Sequence, residues 1–220
     1  MKGHIKKLVL PMIITVIATF ILAATVPAGE PYHHHRALRG QYGATGGGTS
    51  ILAPLGFGSN LTPNGPPGAY VSQTCSVEGV YTFEPNGTGS FEGLFHCTTL
   101  SYTTANPNPP PPTITHPSSA GSAITTFLFH YTVTAAGKIT ITPDPGTNST
   151  EWTSGPSAGQ TYYSDGLPTT GFITPDDKTI TLTGGAPSVL SFIAPFGDLP
   201  PTIQMIANTS TVLIYQHEHD

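Results

Sequence analysis

The chain has 220 residues, 7 of them basic and 12 acidic, for a formal net charge of −5 with only 9% charged residues. So few cations cannot assemble a basic stripe for nucleic acid, and an acidic surface does not favour anionic lipid. Abundant Gly (25) and Pro (23), with Ser, Thr and Asn at the polar positions, suit a secreted all-β protein with many turns.

Lys2, Lys6 and Lys7 precede an apolar run from Leu8 to Val26, and small residues follow at Val26-Pro27-Ala28. Residues 1–28 therefore read as a helical signal peptide. The apolar run of 19 residues is also just long enough for an uncleaved anchor, but Pro11, Thr15 and Thr19 interrupt it and favour cleavage. Cleavage after Ala28 leaves 192 residues with a net charge of −8, enough for one core and one domain. The expectation is a secreted or periplasmic protein with no nucleic-acid partner and no stable membrane association once cleaved.

Residues 29–38 form a His-containing tail, and residues 39–216 carry the strands. Arg39 to Thr45 and Ala69 to Thr74 are the first strand candidates, separated by a Gly-, Pro- and Asn-rich stretch from Thr49 to Gly68. The stretch from Val80 to Cys97 alternates aromatic and polar residues around Asn86-Gly87, a strong hairpin signal. With a loop of three or five residues centred on Asn86, opposed residue numbers add to 172. Tyr81 then faces Phe91, Gly79 faces Gly93, and Cys75 faces Cys97, the only two cysteines. A disulfide between them follows naturally in an oxidising compartment. A two-residue turn gives sums of 173 and offsets the cysteines. In the first register the odd positions form a core face and Ser76, Glu78, Thr82, Glu84, Glu92 and His96 an outer one.

A proline-rich loop spans 106–119. Phe127, Phe129, Tyr131 and Val133 then alternate toward Ala135-Ala136-Gly137-Lys138 and a returning strand at Ile139 to Thr142. Asp144 to Asp165 reads as a long loop holding the only tryptophan, Trp152, as a lid on an open end. A third hairpin turns at Pro175-Asp176-Asp177-Lys178, and Ser188 to Ala194, Thr202 to Ala207 and Ser210 to Gln216 are further β-rich runs. No helical period exists outside the signal peptide.

Eight to ten strands joined to their sequence neighbours predict a single antiparallel up-and-down β-barrel, with a β-sandwich as the alternative. The layout resembles the calycin-type barrels, lipocalins among them, although their Gly-x-Trp signature near the first strand is absent. Tyr81, Phe83, Phe91, Phe95, Phe127, Phe129 and Tyr131 point inward and are the candidate wall for a small apolar or amphipathic ligand. A structural or surface-interaction protein with a filled core is the alternative function. A barrel-cavity enzyme ranks last, because no nucleophile–base set or facing carboxylate pair can be assembled. His96 and His130 are the only candidate catalytic histidines, and both fall on the outer face. No cofactor is expected apart from a weak divalent-metal site at the tails, where His33, His34, His35, His217 and His219 supply imidazoles.

Overall fold

The computed structural model describes residues 37–65, 70–100, 102–104, 114–184, 190–193 and 202–216. The segment expected to be a signal peptide, the tail histidines and most of the proline-rich stretch lie outside these residues. Among the described residues the secondary structure is entirely β: β1 (Gly40–Ala53), β2 (Val71–Phe83), β3 (Thr88–Thr99), β4 (Tyr102–Thr104), β5 (Ile114–His116), β6 (Ser119–Val133), β7 (Lys138–Pro143), β8 (Asn148–Trp152), β9 (Thr161–Ser164), β10 (Thr169–Ile173), β11 (Thr179–Gly184), β12 (Leu190–Ile193) and β13 (Thr202–Tyr215).

Eleven strands form one antiparallel sheet in the order β1-β2-β3-β6-β7-β10-β11-β13-β12-β9-β8. The first and last long strands also pair, from Tyr42 opposite Tyr215 to Ala53 opposite Gln204. β4 and β5 form a separate two-stranded ladder, so the expected loop at 106–119 contains a short strand. The count exceeds eight to ten because three flanks of the sheet are each made of two strands laid end to end. β6 pairs with β7 through Phe129 to Val133 and with β8 through Ala123 to Thr126. β9 and β10, then β11 and β12, repeat this arrangement along the next two flanks. The break between β7 and β8 is a turn in which Thr147 N–H donates to the Asp144 carbonyl (3.2 Å) and Gly146 takes φ +75°. Pro145 and Pro168 fall in the first two breaks, where a missing N–H cannot extend a ladder. Conversely, the two runs expected at 202–207 and 210–216 are one strand, since Asn208 and Thr209 continue the pairing opposite Thr49 and Gly48.

The β2–β3 register is the one that adds to 172, with Cys75 opposite Cys97, Gly79 opposite Gly93 and Tyr81 opposite Phe91. It arises from a three-residue loop, Pro85-Asn86-Gly87, closed by Glu84 N–H to the Thr88 carbonyl (2.9 Å) with Gly87 at φ +86°. Asn86 Oδ1 holds the turn by accepting from Thr88 N–H (3.0 Å) and Thr88 Oγ1 (2.7 Å). The turns at 135–137 and 175–178 lie at the same end of the sheet. Each of the three passes a carbonyl to the strand beyond it: Gly87 to Tyr131 N–H, Gly137 to Ile173 N–H and Lys178 to Tyr215 N–H, at 2.8–2.9 Å.

That end is also the most densely buried. Phe83, Phe129, Ile139, Ile141, Ile180 and Leu213 are at most 1% exposed. Each contributes about 1.5–3 kcal/mol by leaving water. Leu38, just ahead of β1, joins the cluster at 4% exposed, and the Tyr131 hydroxyl donates toward the carbonyls of Leu38 (3.0 Å) and Glu84 (2.9 Å).

Candidate functional site

The register fixes which side chains share a face. Strict alternation along β2, β3 and β6 puts Tyr81, Phe83, Phe91, Phe95, Phe127, Phe129 and Tyr131 together with both cysteines. All seven belong to the core cluster or pack against it, Phe95 and Phe127 remaining partly accessible. Ring centroids lie 4.5 Å apart for Tyr81–Phe91, 4.9 Å for Phe91–Phe127, 5.1 Å for Phe83–Tyr131 and 5.3 Å for Phe83–Phe129. These are the tilted and edge-on contacts that aromatic quadrupoles favour.

Gly79 and Gly93 lack side chains on that face, and an aromatic fills the place. A Cβ on Gly93 would strike the Phe91 ring, and one on Gly79 would come within 3.0 Å of Phe91 Cε2. Phe129 covers Gly89 in the same way. At this level the rings therefore occupy the space that the glycines leave. Burial keeps the phenols neutral here: the Tyr81 hydroxyl is pushed well above the ordinary tyrosine range, and Tyr42 is pushed up to about 12 by burial and then by the charges of Asp177, Tyr215, Tyr131 and Asp176.

Farther from the short turns the same face changes character. Val77, Phe95, Phe127, Trp152, Thr150, Thr209 and Thr211 are only half-buried here, while Cys97, Ala123 and Thr125 among them are buried. Polar contacts appear among them: Thr125 Oγ1 and Thr150 Oγ1 are 2.9 Å apart, and Gln73 Nε2 donates to Thr99 Oγ1 (3.4 Å). Trp152 ends β8 rather than sitting in a loop, opposite Ala123. It meets Tyr162 edge-on at 6.4 Å and lies over Gly121, while its buried Nε1 has no hydrogen-bond partner among the described residues. Trp152, Tyr162 and Thr150 were not legible as inward residues, because β8 and β9 are too short and too rich in Ser and Thr to show an apolar alternation.

The outer face holds both candidate histidines. His96 Nδ1 lies 2.9 Å from Ser122 Oγ, whose backbone N–H donates to Ser154 Oγ (2.9 Å). His130 Nδ1 lies 2.9 Å from Asp144 Oδ1, with both side chains well exposed. Neither pair has a third group orienting the imidazole among the described residues, so each is a two-member polar contact. Cys75 and Cys97 form a disulfide with Cα atoms 4.1 Å apart. A disulfide fits an oxidising, extracellular or periplasmic setting. His33, His34, His35, His217 and His219 lie outside the described residues; among those described, no three His, Cys, Asp or Glu side chains group as metal ligands. The sequence matches no protein-family model, and no curated protein matches it.

Proposed function

We propose that the sheet is a closed up-and-down barrel with eight strand positions and that it binds a small amphipathic ligand in the half remote from the short turns. The pairing of β1 with β13 supports closure, since it leaves neither as an edge. The observation that carries the binding reading is a set of apolar side chains on the inward face that stay accessible between buried neighbours. Phe129 and Leu213 are 0% exposed near the turns, and beside the buried Phe91, Cys97 and Ala123 the side chains of Val77, Phe95 and Phe127 keep accessible surface. The ligand's apolar part would lie on those three side chains and its polar part against the hydroxyls of Thr125, Thr150 and Thr211 and the amide of Gln73. A filled core in a structural protein is the second reading, favoured by Phe91 lying over Gly79 and Gly93.

A neutral solvatochromic dye, Nile red, separates the two. The binding reading expects one saturable site on the folded protein. Val77→Trp, on the inward face opposite Gly46 and Phe95, then weakens the dye by about tenfold or more at unchanged melting temperature, because the added ring enters free space. A filled interior gives no saturable binding, and Val77→Trp instead costs about 1–3 kcal/mol by overpacking.

A further inference from the structure

We propose that the outer face of β13, β1, β2, β3 and β6 docks a basic, aliphatic segment of a partner polypeptide. A groove of about 720 Å³ crosses these strands, walled by Val80, Leu94, Ile124 and Ile214 and by the carboxylates Glu78 and Glu92. Gly43, which the register places between Ile214 and Val80, has no side chain of its own, and the Gln216 side chain lies over it as part of the floor. Ile214 is 57% and Ile124 40% exposed, so the walls are open to an incoming surface.

The two carboxylates give the groove its polarity. Glu78 lies opposite Leu94 and Glu92 opposite Val80, which puts them on adjacent strands at diagonal positions, about 7–8 Å apart by sheet geometry. Like charges at that spacing repel, and among the described residues neither has an ion-pair partner. The described cations, Arg39, Lys138 and Lys178, lie ahead of β1 and in or beside the short turns instead. An ammonium placed between Glu78 and Glu92 relieves this repulsion, and the aliphatic walls reward methylenes beside it. The groove is too open to bury most of a small molecule, as a small-ligand site does. A second copy of this chain brings little positive charge. Crossing five strands at about 4.8 Å spacing, the groove runs on the order of 19 Å, the length of about six extended residues.

The test is fluorescence anisotropy with a labelled hexapeptide alternating Leu and Lys, beside the same peptide with Glu for Lys. The Lys peptide should bind saturably, weaken at high salt, and lose about tenfold or more on the Glu78→Gln/Glu92→Gln double variant. That variant removes a repulsion, so its melting temperature should stay level or rise, which separates lost binding from lost folding. Ile214→Thr should weaken the Lys peptide as well, at unchanged fold, and Val77→Trp should leave it alone because it alters only the inward face. Equal binding of the two peptides, or unchanged binding by the double variant, overturns the proposal. So does self-association that the double variant strengthens, or a short alkylamine binding as tightly as the peptide.

Discussion

Tyr42 shows how a single side chain ties the two ends of the chain to a turn. Its ring packs edge-on against Phe83 and Tyr215, both centroids 5.3 Å away, and its hydroxyl donates to the Asp177 carbonyl (2.8 Å). Burial first, and then neighbouring negative charge, raises its ionisation to about 12, and burial raises Tyr81 and Tyr131 as well. Free tyrosine ionises near 10. Below that pH both the folded and the unfolded chain hold these protons, so the packing and hydrogen bonds count in full. Above it the unfolded chain releases them while the folded chain does not, and stability drains away between pH 10 and about 12. The melting temperature should therefore stay level across neutral pH and fall above 10, with part of the tyrosinate absorbance appearing only as the protein unfolds. If every tyrosine ionises together near 10 while the fold persists, burial does not govern these phenols.

At the scale of strands and turns, legibility in the sequence tracked the length of the alternation. Val77 to Phe83 and Phe91 to Cys97 alternate for several residues around an Asn-Gly turn, so face, register and disulfide all followed from counting. β8 and β9 have five and four residues, with Thr, Ser and Glu among their apolar members, and the pattern dissolved into apparent loop. Trp152 was consequently assigned to a lid, although it closes a strand and faces the same side as Ala123. The outer groove was legible only in part: the hairpin register puts Glu78 and Glu92 on one outer face, but Gly43, Ile124 and Ile214 are far apart in sequence and meet them only through pairings of other strands. The turns were legible because their glycines have a conformational duty. Gly137 takes φ +75°, its N–H donates to the Thr134 carbonyl (2.9 Å), and its carbonyl accepts from Ile173 N–H (2.9 Å). An L side chain resists this backbone, so Gly137→Ala should destabilise the protein by about 1–2 kcal/mol. Denaturant titration would show the loss as a lower midpoint at an unchanged slope, and a midpoint equal to wild type would mean that the turn carries no such demand.

At the scale of the whole molecule, the distinction between an open sheet and a closed barrel rests on the seam between β1 and β13. Gly46 and Gly48 lie along it and let the backbones approach closely: a Cβ on Gly46 would sit 2.7 Å from Thr211 Cα, and one on Gly48 would sit 3.0 Å from Thr209 Cα. β1 also pairs with β2 from Gly40 to Leu52, and β13 with β11 through 210–214 and with β12 through 202–205, so along most of the seam both strands have ladders on two sides. An open sheet must have two edge strands, whose amides exchange through local fraying; a closed one has none. In native-state hydrogen exchange, the β1 amides bonded to β13 should therefore exchange only through global unfolding, at rates matching the β3 amides bonded to β6, despite lying at opposite ends of the chain. Gly46→Val, which drives a side chain into the β13 backbone, should raise exchange along the seam before it affects the β3–β6 ladder. Fast exchange confined to β1 and β13 in the unmodified protein would instead mean that the seam opens readily and that the architecture behaves as an open sheet with two edges.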